Sequence, residues 1–315
     1  MTGCLQGWRN VQVGSHDSRW RTQATVIYLI QEHSPMPAPT QTPTEAKRRH
    51  FEVERELADR LRKSTRAERP RLVPELYGEL YRRVPDHPRI QRMQDKAAAE
   101  RSLANQWRLL EPYLKASVRM VEFGAGDGGL SRRVAERLPG AEVTALEVCE
   151  QAERTGPPNL QWVAHDGFDV PLASGVFDIA FSYQVLEHIH PDDVEEHFRQ
   201  AARVLKPGGT YVLSVPHEAS GPHDVSRYFG TELQTFHLKE WSYSEVERWM
   251  KAAGFEVIRP YWRGRVRPQG GVVHLALKAM EGAFKLLPGT WSRSLARRCL
   301  NNVIVAGAKA GPGIP

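Results

Sequence analysis

The stretch VEFGAGDGGL, residues 121–130, places four glycines in six positions, one residue after an acid, Glu122. Glycine tolerates left-handed backbone and close approach at an entropic cost. Such a run therefore marks a tight turn or a ligand lying against the main chain. A turn that binds nothing satisfies the same pattern. Two fingerprints also fit: Gly124, Gly126 and Gly129 match G-x-G-x-x-G, and Gly124, Gly126 and Gly128 match G-x-G-x-G. Residues further on narrow the chemistry. Glu147 follows Gly126 by 21 positions, and a carboxylate presents two coplanar acceptors that suit the hydroxyls of a ribose. Asp166 can accept from an exocyclic adenine amine, with Phe168 packing the ring. Asp127 inside the loop and Glu122 before it would repel a diphosphate, which favours helix N-terminal amides free of negative charge. The same two acids would accept from an ammonium. The ligand class is an adenosine bearing a cationic, amino-acid-like tail.

These residues need a scaffold that delivers them to one place. From Ser117, strands and helices alternate: SVRMVEF, AEVTALEV, LQWVAH and VFDIAFSY read as four strands, and GTYVLSVP as the fifth. FEVIRPYW and NNVIVAGAKA supply the sixth and seventh. DGGLSRRVAERL, PDDVEEHFRQAARVLKPGG and SYSEVERWMKAAG read as helices between them, the second with an acidic first turn and a Pro-Gly-Gly stop. This alternation predicts an α/β fold, a Rossmann-like, doubly wound, seven-stranded and mostly parallel sheet. Ligands of such sheets bind beyond the carboxyl ends of the strands where strand order reverses. The glycines stand at the first such end, Glu147 at the second, Asp166 and Gly167 just past the third, and Tyr183 at the fourth.

Before this domain, residues 1–44 lack periodicity and end in SPMPAPTQTPT, predicted to be extended and mobile. Residues 45–116 form a helical N-terminal extension, with one helix expected over about 90–114 and prolines 70, 74, 85 and 88 cutting the rest into short pieces. The composition, 41% hydrophobic and 25% charged with a net charge of +6, is that of a soluble globular chain. From Arg259 to Lys309 ten Lys/Arg face one acid, Glu281. That balance suits a solvated basic face, or an anionic ligand or surface. No aromatic interleaving accompanies the arginines, which argues against nucleic acid. Cys4, Cys149 and Cys299 form no disulfide framework or C-x-x-C pair, so a reducing cytoplasm is the default. The run VIYLI is too short for a signal core or a membrane span.

The assembly resembles the class I S-adenosylmethionine-dependent methyltransferases, on VEFGAGDGGL, the acid of VTALEV, HDGFDVPLASGVFDIAFSYQVLEHI, RVLKPGGTYVLSVP and HLKEWSYSEVERWMKAAGFEV. It looks most like the group with a Leu-Glu-His motif after the fourth strand. The similarity covers about residues 117–262 and the last strand, within a domain of 117–310. It implies S-adenosyl-L-methionine as cofactor. Glu122, Gly124, Ala125 and Gly126 would line its methionine end and Glu147 its ribose. Asp166, Gly167 and Phe168 would take the adenine, with Tyr183 nearby. Only twelve residues separate Glu147 from Leu160, including Gly156-Pro157-Pro158, so the helix usual there is expected to shrink to a turn or two.

Methyl transfer from a sulfonium needs alignment and exclusion of water, and a hydroxyl acceptor is helped by a base, for which imidazole suits neutral pH. His188 of the Leu-Glu-His motif is one candidate, though it equally suits a loop-holding hydrogen bond. His217 and His223 fall in an insertion over 217–240, where acceptor lids stand in this family, and Asp224 beside His223 could orient it. His190 and His237 read as helix-entry residues. Asp192-Asp193 are explained as helix-capping acids, and no metal is expected. A second insertion, 264–298, carries the apolar stripe Val272, Leu275, Ala276, Ala279, Ala283, Leu286 and Leu287. It either covers the sheet edge or borders the acceptor site, and bordering a partly apolar acceptor is the expectation, with peripheral contact to an anionic membrane surface as a further option. The overall expectation is an enzyme of the cytoplasm methylating a small-molecule hydroxyl. The alternatives are an NAD(P)-dependent oxidoreductase, from G-x-G-x-x-G and Glu147, and a non-catalytic adenosine-binding partner subunit.

Overall fold

The computed structural model describes residues 44–148, 155–262, 270–286 and 289–311. Expectations for residues 1–43, for Cys4, Cys149 and Leu287, and for residues 149–154 of the link after Glu147 fall outside these residues. Seven strands, β1 (Arg119–Phe123), β2 (Glu142–Glu147), β3 (Leu160–Ala164), β4 (Phe177–Tyr183), β5 (Leu205–Pro216), β6 (Phe255–Pro260) and β7 (Asn302–Lys309), form one sheet. Their order is β3-β2-β1-β4-β5-β7-β6. The strands from β3 to β5 pair in parallel, and β7 runs antiparallel between β5 and β6. The order reverses between β1 and β4, so their carboxyl ends open the crevice in which ligands of this fold sit. Both strands are near-continuous apolar runs because both faces are covered; Met120, Val121, Ile179 and Phe181 are buried.

The helical extension comprises α1 (Glu45–Arg62), α2 (Arg69–Arg83), α3 (Pro88–Gln94) and α4 (Lys96–Leu110). The single helix expected over about 90–114 is instead two, divided at Asp95. Its carboxylate accepts from the amides of Ala97 and Ala98 and so caps α4. Pro74 does not interrupt α2. It lies early in that helix, where it removes one hydrogen bond, while Leu76 and Leu80 pack beneath. The extension is fastened from several sides. Arg69 and Asp193 form a buried ion pair, with Nη2 2.8 Å from Oδ1. Arg62 donates to the carbonyls of Gln234 and Thr235, and Glu54 accepts from the amide of Phe236. Phe51 stacks on Phe229 and Tyr77 on Phe236.

Within the sheet domain α5 (Gly129–Arg137) follows the glycine loop, α6 (Val194–Val204) precedes β5, and α7 (Tyr243–Ala252) precedes β6. The second insertion forms α8 (Gly271–Leu286) and α9 (Gly289–Cys299). Here the sequence expectation is corrected. The stripe of α8 faces outward: Val272, Leu275 and Leu286 are 84%, 70% and 87% exposed. The buried face carries His274, Leu277, Glu281 and Phe284. Polar complementarity selects it, because Glu281 accepts from the amide of Tyr243 and pairs with His217, while His274 and Lys278 reach Glu247. Asp192 and Asp193 sit in the short turn that opens α6, and Asp193 is occupied by Arg69.

Candidate functional site

At the carboxyl ends of β1 and β2 the backbone makes a tight, hydrogen-bonded turn. Gly124, Gly126 and Gly128 all have positive φ, at 66°, 60° and 71°, a region that side-chain-bearing residues rarely enter. A Cβ on Gly124 would come within 2.6 Å of Val185, and one on Gly128 would strike the ring of Trp162. The amide of Ala125 donates to the Leu146 carbonyl, and that of Gly126 donates to Glu147 Oε2 at 2.7 Å. Glu147 Oε1 accepts from the amide of Val148. The loop and the acid at the end of β2 are thus one bonded unit.

Glu122 is buried behind this turn, and its Oε2 accepts from the amide and hydroxyl of Ser131 in the first turns of α5. Burial, aided by the like charges of Asp127 and Glu147, pushes its carboxyl up to about 7. A cation placed beside Glu122 would therefore be met by a group ready to lose its proton.

These residues line one cavity of about 830 Å³, toward the upper end of the range of roughly 300–1,000 Å³ usual for small-molecule sites. Glu122, Gly124, Ala125, Gly126 and Glu147 form one end of its wall. Gly167, Phe168 and Tyr183 continue it past β3 and β4. Asp166 is not among the lining residues; its Oδ1 accepts from the amides of Phe168 and Asp169 and shapes the turn that presents them.

The histidines divide. His188 and His223 line the cavity. His188 Nδ1 donates to the Phe236 carbonyl at 3.1 Å, and burial holds its pKa well below the ordinary range. His223 lies with Nε2 2.8 Å from Ser220 Oγ, and burial lowers its pKa. Asp224 accepts from Ser226 and Thr235, and the partner of His223 Nε2 is Ser220. His217 is not brought to the cavity. It is fully buried, its Nε2 lies 2.8 Å from Glu281 Oε1, and its Nδ1 accepts from the amide of Ala219. It fastens α8 to the end of β5. Among the described residues of α8 and α9 none lines the cavity, so these do not take the bordering role expected of the insertion.

The wall opposite the sheet comes from the helical extension, through residues such as His50, Tyr77, Arg89 and Gln106. The sequence reading did not assign these to a site, since helical periodicity carries no signal for the object a helix faces. Gln184 was also missed; its φ of 57° is the one positive value at a non-glycine among the described residues, and it lies at the cavity immediately after β4. Strained backbone of this kind clusters at functional sites.

A family model described as a methyltransferase domain matches residues 121–213, which run from the glycine loop to β5. A probable S-adenosylmethionine-dependent methyltransferase of Mycolicibacterium smegmatis is 29% identical over 44% of this chain and 52% of its own length. A sarcosine/dimethylglycine N-methyltransferase of Halorhodospira halochloris is 31% identical over 39% of this chain and 46% of its own. A malonyl-[acyl-carrier protein] O-methyltransferase of Methylococcus capsulatus is 28% identical over 59% and 69% respectively. The chain spans about half the length of the first two of these relatives. Residues 121–213 thus match a methyltransferase domain, and with glycine turn, acid-tipped β2 and antiparallel β7 in one sheet the chain is similar to the class I S-adenosylmethionine-dependent methyltransferases.

Proposed function

We propose that the protein transfers the methyl group of S-adenosylmethionine to a hydroxyl of a small-molecule acceptor held in the cavity between the sheet and the helical extension. The observation that carries the reading is the continuity of that cavity. One wall is the bonded unit of glycine loop and Glu147, and the same space extends to the imidazoles of His188 and His223. In this reading Glu147 accepts from the ribose, Glu122 faces the ammonium of the methionine tail, and Gly167 and Phe168 pack beside the adenine. The acceptor oxygen forms a bond to the methyl carbon as the carbon–sulfur bond breaks and the neutral thioether leaves. The hydroxyl proton passes to a base. Of the candidates from the sequence, His223 fits best: it faces the cavity, and its lowered pKa keeps it neutral at physiological pH. The methyltransferase-domain match leaves the nicotinamide reading without support.

The test is transfer of isotope-labelled methyl from S-adenosylmethionine to a panel of hydroxyl, amine and carbon acceptors. Labelled ether products support the reading. Labelled amine or carbon products alone refute the hydroxyl assignment while leaving the cofactor assignment standing.

A further inference from the structure

Beside the glycine loop, and apart from the cofactor-facing residues, three side chains converge: Glu187 and His188 from the turn after β4, and His237 from the chain leading to α7. One ligand-type atom from each lies within 4.8 Å of the others, and all three residues line the cavity. Two features make this more than a polar cluster. Glu187 is 0% exposed, and neither carboxylate oxygen has a hydrogen-bond partner in another described residue. A buried carboxylate in that condition is costly unless a cation or a proton meets it. The two imidazoles are also set up alike. His188 Nδ1 lies 3.1 Å from the Phe236 carbonyl and His237 Nδ1 lies 2.9 Å from Glu240 Oε1. Both partners only accept, so both Nδ1 atoms carry the hydrogen. In the neutral ring each Nε2 then offers a lone pair, and no hydrogen bond to either Nε2 occurs among the described residues. An imidazole whose outer N–H is held by a carbonyl or carboxylate is the arrangement that orients metal-bound histidines.

We infer that Glu187, His188 and His237 form a binding site for a divalent first-row transition ion of the Zn²⁺ or Mn²⁺ class. Two nitrogens and one carboxylate favour such ions over Mg²⁺ or Ca²⁺, which prefer all-oxygen sets. Three protein ligands leave coordination positions open, and the cavity is the space they open onto. That opening suits an acceptor offering two adjacent oxygens, a clause that rests on the proposed function; the ion site itself does not. The sequence led to the expectation of no metal anywhere, argued at Asp192-Asp193, and this site departs from that expectation; Asp193 itself is paired with Arg69.

A second cluster, His50, Glu54 and His87, has a comparable spacing. There the carboxylate is already used: Glu54 accepts from the Phe236 amide at 3.2 Å and pairs with His50 at 2.6 Å. It serves as an internal control.

The experiment is stoichiometry. Chelator-treated full-length protein is titrated separately with Zn²⁺ and Mn²⁺, and bound metal is counted by elemental analysis after desalting. The wild type is expected to retain one equivalent of at least one ion. Glu187→Gln and His237→Ala are expected to retain less than about a tenth of that, and His50→Ala to retain it in full. Melting temperature and S-adenosylhomocysteine affinity, measured on each variant, certify folding. Glu187→Gln removes an unpartnered buried carboxylate and is expected to melt no lower than wild type without metal. A folded wild type that retains neither ion would overturn the inference and leave a protonated His237 as the partner of Glu187. Equal retention by folded Glu187→Gln and His237→Ala, or loss in His50→Ala instead, would overturn it too. None of these readouts depends on methyl transfer, so they fail or succeed independently of the proposed activity.

Discussion

The amide of Gly126 donates to Glu147 Oε2 across 2.7 Å, joining the glycine turn at the end of β1 to the acid at the end of β2. A ligand that uses the acid therefore meets a loop already held in place by it. Glu147→Ala removes the loop's anchor and, in the proposed reading, the ribose acceptor. S-adenosylhomocysteine affinity is expected to fall by about 1–3 kcal/mol, the cost of leaving polar partners unmet. Gly126→Val should weaken it at least as much, because φ is 60° there and a Cβ would crowd Arg89 Nη2 at 3.1 Å. Calorimetry on both variants measures this, and unchanged affinity in both would place the cofactor elsewhere.

Glu122 gives a proton-linked prediction. Its folded pKa, about 7, exceeds the ordinary 4.5 because of burial and then neighbouring acids. The ligand-free folded protein therefore holds a proton that the unfolded chain has lost in that window. Stability is expected to fall as pH rises from about 4.5 to 7, a slope that Glu122→Gln should flatten. An ammonium set beside Glu122 pulls its pKa down, so cofactor binding at about pH 6.5 should release up to about one proton. Calorimetry in buffers of different ionisation enthalpy reads that number; no release would separate Glu122 from the methionine tail.

The two insertion histidines are expected to behave differently. His223→Ala should lower turnover on a hydroxyl acceptor by about 100- to 10,000-fold with S-adenosylhomocysteine affinity near normal. Burial lowers the His223 pKa, so the base form persists below the ordinary imidazole range and the rate should decline only on the acid side of it. His217→Ala instead strips a partner from buried Glu281, at a cost of about 1–3 kcal/mol in stability. Its melting temperature should drop while rate per folded molecule is kept. The reverse pattern would reassign the roles.

The sequence was informative about the sheet for a physical reason: apolar runs closed by acids and glycines mark the ends of parallel strands, and VEFGAGDGGL and VTALEV carry that signal locally. What α8 faces was not legible. Its apolar stripe, Val272 to Leu286, points outward because the inner face is chosen by pairings distant in sequence, His217 with Glu281 and His274 with Glu247. The same limit hid the far wall of the cavity. Tyr77 on α2 lines it, and α2 is held by contacts such as Arg69 with Asp193, 124 residues apart. Asp166 shows a third limit, since one oxygen of this acid accepts from two amides of its own turn, a bond pattern the sequence does not signal.

The outward stripe yields its own expectation. Leu275→Ser with Leu286→Ser should leave both cofactor affinity and acceptor KM unchanged, because α8 contributes nothing to the cavity wall. Steady-state kinetics on the double variant checks this, and a raised KM would return the helix to the acceptor site.

The central claim, that the glycine turn and Glu147 hold S-adenosylmethionine, is tested most directly by calorimetry of the full-length protein with S-adenosylhomocysteine and, in parallel, NADH. The expected result is one equivalent of S-adenosylhomocysteine bound, lost or greatly weakened in Gly126→Val, and no binding of NADH. Binding of NADH without binding of S-adenosylhomocysteine would contradict the account.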